Sequence, residues 1–213
     1  QEGVTNLMQT AKELNEYNPE FFSVTFGAGG STKEKTLDTI LDLKKSGFNA
    51  TPHISCISSS KAEIKDLLDK YKANKINHLV ALRGDNPSGS INFGELNYAN
   101  ELVSFIKSEM GDAFKIDVGA YPEVHPESET AKQDFINFKS KVEAGADSAI
   151  TQFFYNVDSY FKFVDECQKN SINIPIVPGI MPIYNSKQLI RFANNCGAEI
   201  PRWLKFKLED YSD

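Results

Sequence analysis

The segment HLVALRGD, residues 78–85, carries the pattern that decides the fold. Leu79 to Leu82 form an uninterrupted apolar run of strand length, which is typical of a strand buried on both faces of a parallel sheet. Arg83 and Asp85 follow it at once, and the glycine between them would let a ligand approach the backbone closely. The segment therefore predicts a buried strand that presents a fixed cation and a fixed anion at its carboxyl end.

The same unit, a short strand and then a helix, is repeated on both sides of this segment. Strand starts fall roughly 25 to 40 residues apart, as expected for a strand, a helix and two loops. The predicted strands are 21–26, 51–54, 78–82, 116–120, 148–150 and 174–177. Consecutive units of this kind require a parallel sheet with right-handed crossovers.

The segments between the strands have the period of amphipathic helices. Two of them begin with a capping box, Ser31 with Glu34 and Ser60 with Glu63, in which each side chain binds the other residue's free amide. Further helices are predicted for 98–110, 130–144, 157–170 and 186–195. One more helix, marked by apolar residues from Val4 to Leu14, precedes the first strand. The order is therefore one helix followed by six strand–helix units.

The composition is that of a globular domain, with 40% hydrophobic and 24% charged residues among 213. The net charge of -6 is spread along the chain without a basic stripe, which argues against a nucleic-acid-binding protein. No apolar run approaches the roughly 18 residues of a membrane helix. The three cysteines form no Cys-x-x-Cys pair and no His-x-x-x-His motif is present, so we expect no disulfide framework, no metal site and a cytoplasmic location.

Polar or conformationally special residues follow each of the six strands at its carboxyl end. They are Thr25, His53, Arg83 with Asp85, Tyr121 to His125, Gln152, and Pro178-Gly179. The carboxyl ends of the strands form the active-site face of a barrel, whereas an open sheet concentrates its ligand residues at one switch point. The distribution favours a parallel (β/α)₈ TIM barrel over a doubly wound sheet. Six units would leave such a barrel without one strand at each end.

Several of these features also have a purely structural interpretation. Gly27 to Thr32 resembles a dinucleotide fingerprint, but its last glycine is absent and a flexible loop explains it at least as well. A hydrogen-bonded wall residue is the commoner interpretation of His53, and His78, at a strand start, fits a structural role. Gln152 lies among aromatic residues, which suits a planar heterocycle and equally a hydrophobic strand cap.

Residues 121–127, Tyr-Pro-Glu-Val-His-Pro-Glu, form the most unusual stretch of the chain. Two prolines stiffen a loop that carries an aromatic ring, two carboxylates and an imidazole. A turn alone does not need this much side-chain chemistry. The stretch therefore favours a functional site.

Six motifs together resemble those of the methylenetetrahydrofolate reductase family, in the family's order and spacing. They are SVTFGAGG (23–30), TPHISC (51–56), HLVALRGDNP (78–87), AYPEVHPE (120–127), KVEAGADSAITQFFY (141–155) and PGIMPI (178–183). The resemblance covers nearly the whole chain, from Pro19 to Trp203. It implies a (β/α)₈ barrel with non-covalent FAD, which takes hydride from NAD(P)H and passes it to 5,10-methylenetetrahydrofolate, giving 5-methyltetrahydrofolate. A cofactor is needed because no side chain carries hydride.

The resemblance also implies site residues and an oligomeric state. The FAD contacts would be Thr25, His53, Arg83, Gly84, Asp85, Tyr98, Ala99, Tyr121, His125, Glu127, Asp134 and Lys141. Asp85 would be catalytic, since its negative charge should favour the cationic iminium form of the folate, which accepts hydride. The substrate contacts would be Asp85, Gln152, Gln188 and Phe192, with Gln152 bound to the pterin and Phe192 stacked on the folate or the nicotinamide. A homo-oligomer is expected by analogy with bacterial relatives.

Two parts of the family pattern have no counterpart in these 213 residues. The family's first strand carries the glutamate that acts as general acid, and its last strand contributes a substrate-binding arginine. We therefore expect the 213-residue chain alone to be inactive, and poorly soluble because two strand edges would be exposed.

Three other functions are compatible with such a barrel. They are another FAD enzyme such as a proline dehydrogenase, a lyase without flavin, and a non-catalytic barrel fragment that serves as an interaction module. The pair of Gln152 and Phe192 favours folate over proline.

Overall fold

The computed structural model describes residues 2–26, 30–84 and 94–210, without the side chains of residues 2–4 and 30–34. Three features singled out in the sequence lie outside the described residues: Asp85, the Gly27–Gly29 loop and the capping box of Ser31 with Glu34. The chain folds as two compact units, Gln1–Asp117 and Val118–Asp213. The single domain expected for 1–213 stays a prediction.

Helices and strands alternate along the described chain, except that the last helix directly follows another helix. The elements are α1 (Glu2–Asn15), β1 (Phe22–Val24), α2 (Gly30–Lys45), β2 (Ala50–Ser55), α3 (Lys61–Ala73), β3 (His78–Leu82), α4 (Ala99–Met110), β4 (Lys115–Ala120), α5 (Ala131–Glu143), β5 (Ser148–Phe153), α6 (Val157–Lys169), β6 (Ile176–Gly179), α7 (Ser186–Cys196) and α8 (Arg202–Asp210). None of the helices in this part of the chain is long and apolar enough to cross a membrane.

The six strands lie in the sheet in their chain order, β1 to β6. The pairs β1–β2, β2–β3 and β5–β6 are parallel. A doubly wound sheet would reverse the order at a switch point. The predicted class, sequential strand–helix units of a (β/α)₈ TIM barrel of which this chain supplies six, is therefore confirmed.

The first unit is held together by apolar side chains between its strands and the helices α2, α3 and α4. Ile54, Leu68, Leu79, Leu102 and Ile106 are fully buried. Removal of each such side chain from water contributes about 2 kcal/mol to folding. The helix α3 begins with the predicted capping box, because Ser60 Oγ accepts a hydrogen bond from the Glu63 amide and the Glu63 carboxylate accepts one from the Ser60 amide.

A polar cluster lies at the opposite end of these strands from their carboxyl termini. The ring of His78, at the start of β3, is hydrogen-bonded through Nδ1 to Thr51 Oγ1 (3.2 Å) and through Nε2 to Asp117 Oδ2 (2.8 Å). The rings of Phe21 and His78 make a T-shaped contact with centroids 4.7 Å apart. Thr51 and Asp117 are buried and His78 is partly buried, so the cluster links three strands where solvent competes little. These contacts agree with the structural role predicted for His78.

The second unit has two apolar groups. The rings of Phe138 and Phe163 pack with centroids 5.1 Å apart, which holds α5 against α6. Leu189, Ala193, Ile200 and Leu204 form the other group and join α7 to α8. The helix α8 was not predicted from the sequence, although Leu204 and Leu208 have the i, i+4 spacing of a helix face. The strand β1 is shorter than predicted and β5 is longer.

Candidate functional site

His53 lies near the carboxyl end of β2 in the first unit. Its Nε2 is hydrogen-bonded to the hydroxyl of Ser23 on the neighbouring strand β1. The parallel register pairs Ser23 with Thr51, so the alternation of side chains along β2 places His53 beside Ser23. Burial lowers the pKa of His53 from its ordinary 6.5, because desolvation penalises the charged ring. A neutral, oriented imidazole is the result.

Arg83 and Gly84 follow β3 and pack against the turn that joins β2 to α3. The Ile57 amide donates a hydrogen bond to the Arg83 carbonyl at 3.0 Å. Gly84 has φ +89°, and a Cβ at this position would lie 2.8 Å from the Cγ2 of Ile57 and 2.9 Å from the Oγ of Ser55. Only glycine fits here. The group that lies close to the Gly84 backbone is thus the protein's own turn between β2 and α3.

Tyr98 and Ala99 form the amino end of α4 in the same unit. The Glu101 carboxylate accepts hydrogen bonds from the amides of Asn97 (2.6 Å) and Tyr98 (3.3 Å), which fixes the entry into the helix. The Tyr98 side chain is 60% exposed, so its ring is accessible for stacking. Thr25, after β1, is exposed and receives a hydrogen bond on its carbonyl from Thr36 Oγ1 at 3.2 Å.

Lys141 on α5 brings a buried cation to the carboxyl end of β4 in the second unit. Its ammonium donates a hydrogen bond to the Gly119 carbonyl and lies 6.0 Å from the centroid of the Tyr121 ring and 5.7 Å from that of Phe138. Burial lowers the pKa of Lys141 from 10.5 to about 8, and the negative charge of Asp134 opposes this shift only in part. Among the described residues no carboxylate forms an ion pair with this ammonium.

Asp134, in the first turn of α5, holds the segment that carries His125. Its Oδ2 accepts a hydrogen bond from the His125 amide at 3.1 Å, and its Oδ1 accepts one from the Ser128 hydroxyl at 2.9 Å. The Glu127 amide donates to His125 Nδ1 at 3.0 Å, so the hydrogen of a neutral ring resides on Nε2. The Tyr121 ring meets the imidazole edge to face at 4.4 Å. Asp134 therefore fixes the backbone at His125, and the Glu127 amide orients its ring.

Val124 adopts a backbone conformation that valine rarely takes, with φ +76°. The left-handed region costs a β-branched residue about 1–2 kcal/mol. Such strain persists only where the surrounding structure enforces it, and it is concentrated at functional sites. This observation supports the functional interpretation of residues 121–127.

Gln152 lies near the end of β5 and lines a small cavity of about 10 Å³ together with Tyr121, Glu123 and Gly197. The Phe153 amide donates to the Gln152 side-chain carbonyl at 3.0 Å. The amide oxygen thereby has one donor partner, and the NH₂ group can donate to a bound molecule.

Gln188 and Phe192 lie one turn apart on α7. Both line a shallow cavity of about 50 Å³ with Met181 and Tyr184. Phe192 is 45% exposed, and its ring can therefore stack on a bound molecule. The helix is fixed at its start by Asn185, whose side-chain oxygen accepts a hydrogen bond from the Gln188 amide at 2.9 Å.

Comparison with known proteins identifies the family. The family model for methylenetetrahydrofolate reductase matches residues 1–213. A 5,10-methylenetetrahydrofolate reductase of Buchnera aphidicola subsp. Schizaphis graminum (strain Sg) is 44% identical over 199 residues, which is 93% of this chain and 67% of the relative. The chain belongs to the methylenetetrahydrofolate reductase family. The resemblance predicted from the six motifs and the assignment to an enzyme family are confirmed.

Two further members of the methylenetetrahydrofolate reductase family show how much of their length this chain spans. The 5,10-methylenetetrahydrofolate reductase of Escherichia coli (strain K12) is 42% identical over 208 residues, 97% of this chain and 69% of that protein. "Methylenetetrahydrofolate reductase (NADH) 1" of Arabidopsis thaliana is 39% identical over 227 residues, 100% of this chain and 38% of that protein. The chain thus spans about two thirds of its bacterial relatives' length.

Solved structures of low sequence identity share the fold of this reductase-family chain. A Clostridium thermocellum protein described as binding two copies of 5-methyl-5,6,7,8-tetrahydrofolic acid has a TM-score of 0.51 at 15% identity, over 94% of this chain and 80% of its own. A phosphonopyruvate hydrolase in complex with oxalate and Mg²⁺ has a TM-score of 0.54 at 9% identity, over 94% of this chain and 86% of its own. These similarities concern the fold alone.

The residues predicted as site residues of this family member fall into two groups, one in each unit. Thr25, His53, Arg83, Gly84, Tyr98 and Ala99 belong to the first unit, and Tyr121, His125, Glu127, Asp134, Lys141, Gln152, Gln188 and Phe192 belong to the second. Their roles stay predictions. Ser23 was not predicted as the partner of His53, although β-strand alternation places it there. Glu123 was predicted only as one of the two carboxylates of the segment 121–127, without the role of binding the Glu199 amide.

Proposed function

We propose that the full-length protein reduces 5,10-methylenetetrahydrofolate to 5-methyltetrahydrofolate with bound FAD and with NAD(P)H as the reductant. The observation that carries the proposal is the similarity to the bacterial reductases, which extends over 93% of this chain at 44% identity. We further propose a cytoplasmic homo-oligomer. The three free cysteines suit a reducing compartment.

The buried cation of Lys141 supports the proposed cofactor. Within the described residues the Lys141 ammonium has one hydrogen-bond acceptor, the Gly119 carbonyl, and two aromatic rings beside it, and burial lowers its pKa. An anion beside this ammonium would stabilise its charged form. A dinucleotide such as FAD carries a diphosphate, which would supply that anion. The residues present therefore fit the group. When bound, FAD would supply the hydride-carrying chemistry that side chains lack.

Other predicted FAD contacts have matching hydrogen-bond donors. The tautomer of His125 places an N–H at Nε2, because its Nδ1 is occupied by the Glu127 amide. In the first unit, His53 is oriented by Ser23, and the exposed ring of Tyr98 offers a stacking face. We assign these side chains to binding and orientation of the cofactor.

The predicted folate contacts have chemistry that suits a pterin. The free NH₂ of Gln152 can donate to the heterocycle's edge, and the exposed ring of Phe192 can stack on a planar group. Gln188 lines the same cavity as Phe192. We retain Asp85 as the carboxylate that favours the cationic iminium form of the substrate, on the basis of the sequence argument alone.

An anaerobic titration of the full-length protein tests the proposal. The purified protein should be yellow, NADH or NADPH should abolish the flavin absorbance, and methylenetetrahydrofolate should restore it with formation of 5-methyltetrahydrofolate. A protein without flavin would refute the cofactor assignment. A flavoprotein that NAD(P)H bleaches, but that the folate cannot reoxidise, would refute the substrate assignment.

A further inference from the structure

Glu123 joins two parts of the second unit that carry different predicted contacts. The segment 121–127 bears the predicted FAD contacts Tyr121 and His125, and α7 bears the predicted folate contacts. We propose that Glu123 is a positioning residue that fixes α7 against this segment and thereby sets the affinity for the folate. The inference rests on the proposed function and adds a residue to it.

The connection consists of one hydrogen bond and one close packing contact. Glu123 Oε2 accepts a hydrogen bond from the Glu199 amide at 2.8 Å, across 76 residues of sequence. Gly197, the C-cap of α7, adopts the left-handed conformation with φ +69°, and a Cβ there would lie 2.9 Å from Pro126 Cγ. The turn that ends α7 is therefore seated directly on the segment 121–127.

The surroundings of Glu123 show that this position is costly for a carboxylate. Its Oε1 is buried and has no hydrogen-bond partner among the described residues. Burial is the main cause that raises its pKa, and the nearby Glu199 carboxylate adds to the shift. A buried polar atom without a partner destabilises a protein. A turn that served packing alone would not require this carboxyl group.

The segment and the helix do not depend equally on this connection. Residues 121–127 are also held by Asp134, which binds the His125 amide and the Ser128 hydroxyl. The turn after α7 has internal bonds, such as that from the Ala198 amide to the Ala193 carbonyl, and the Glu199 amide just beyond it donates to Glu123 in the segment. Loss of the Glu123 carboxyl should therefore displace α7 and leave the segment in place.

The experiment uses the flavin-loaded full-length protein with the variants Glu123→Ala and Glu123→Gln. The alanine variant should raise the KM for methylenetetrahydrofolate about tenfold, the effect of one ordinary hydrogen bond, with the FAD dissociation constant and the rate of flavin reduction by NADH within about twofold of wild type. Glu123→Gln should restore the KM to about the wild-type value, because its amide oxygen can accept the same hydrogen. Glu129→Ala, an exposed glutamate nearby, is the matched control.

A second measurement does not depend on turnover. Hydrogen exchange of the Glu199 amide should become at least about tenfold faster in Glu123→Ala and remain slow in Glu123→Gln, because only the former loses the acceptor. If Glu123→Ala does not fold, Glu123→Asp serves instead, since its shorter side chain cannot reach the same amide.

The outcomes separate this inference from the proposed function. A wild-type protein that does not turn over methylenetetrahydrofolate refutes the proposed function, while a slow Glu199 amide in Glu123→Ala refutes the connection itself. The positioning role is refuted if the wild type is active and Glu123→Ala has an unchanged KM for the folate. It is also refuted if Glu123→Ala loses affinity for FAD by as large a factor as its KM for the folate rises.

Discussion

Replacement of Lys141 by methionine should improve the stability of the flavin-free protein at neutral pH and weaken its affinity for FAD. Burial lowers the pKa of this lysine from 10.5 to about 8. The native state therefore disfavours the charged form by about 3 kcal/mol relative to the unfolded chain, since one pKa unit corresponds to about 1.4 kcal/mol. Methionine is unbranched and of similar length, and it can fill the space without the charge.

The lost hydrogen bond opposes this gain. Without the ammonium, the Gly119 carbonyl has one donor less, which costs about 1–3 kcal/mol. The net change at pH 7 is therefore small, about 1 kcal/mol in favour of the variant. The pH dependence of the stability difference between the variant and wild type is a sharper test. The lost hydrogen bond contributes the same amount at each pH, so it cancels when this difference is compared between two pH values.

The sign of the pH dependence follows from proton binding. Between pH 8 and 10.5 the unfolded wild-type chain holds a proton on Lys141 that the native state has released, so the wild-type free energy of unfolding rises with pH. The variant lacks this contribution. Its advantage over wild type should fall by about 2–3 kcal/mol between pH 7 and pH 10.

Urea unfolding of the flavin-free full-length protein at pH 7, 8, 9 and 10 measures this difference. Lys139→Met is the control, because Lys139 is a partly exposed lysine that pairs with Glu143 at 3.7 Å on the same helix, and its difference from wild type should not follow the same curve. If the difference in the free energy of unfolding between wild type and Lys141→Met does not change with pH, the conclusion that Lys141 is a buried cation is refuted.

Lys141→Met should stabilise the flavin-free protein at neutral pH but weaken its binding of FAD. Loss of a charge-assisted hydrogen bond to a phosphate should raise the FAD dissociation constant about 10- to 100-fold, measured by quenching of flavin fluorescence. Unchanged affinity alongside the predicted stability curve would place Lys141 outside the cofactor site and contradict the fit argument.

Three further substitutions test the scaffold by urea unfolding of the full-length protein. Ser60→Ala should lower the free energy of unfolding by about 1 kcal/mol, because it removes the cap of α3, and a loss below about 0.3 kcal/mol would contradict the capping box. His78→Phe keeps a flat ring but deletes the hydrogen bonds to Thr51 and the buried Asp117, so the free energy of unfolding should fall by about 3 kcal/mol. An unchanged free energy of unfolding would mean that the polar cluster is dispensable. Gly179→Ala should cost about 3 kcal/mol or more, because its Cβ would lie 2.2 Å from the Thr151 carbonyl oxygen, and wild-type stability would contradict the close packing of β5 and β6.

The order of elements could be predicted because it depends on short-range patterns. Apolar runs such as Leu79 to Leu82 and the capping box of Ser60 with Glu63 are visible within a few residues, and both are confirmed. The helix α8 escaped prediction because its apolar residues do not share one face. Leu204 and Leu208 pack in the cluster with α7, whereas Trp203 and Phe206 are exposed. The strain at Val124 was not predictable either, because a valine in the sequence gives no indication of a positive φ.

The predicted site residues show a second limit, which concerns atoms rather than residues. The sequence gives the type of each polar side chain but not which of its atoms the protein itself occupies. In the second unit both oxygens of Asp134, Nδ1 of His125 and the carbonyl of Gln152 are acceptors already used by the protein's own N–H and O–H groups. Donors that remain for a ligand include Nε2–H of His125, the NH₂ of Gln152 and the ammonium of Lys141. These donors suit acceptor atoms on a ligand, such as the phosphate oxygens of the proposed flavin dinucleotide.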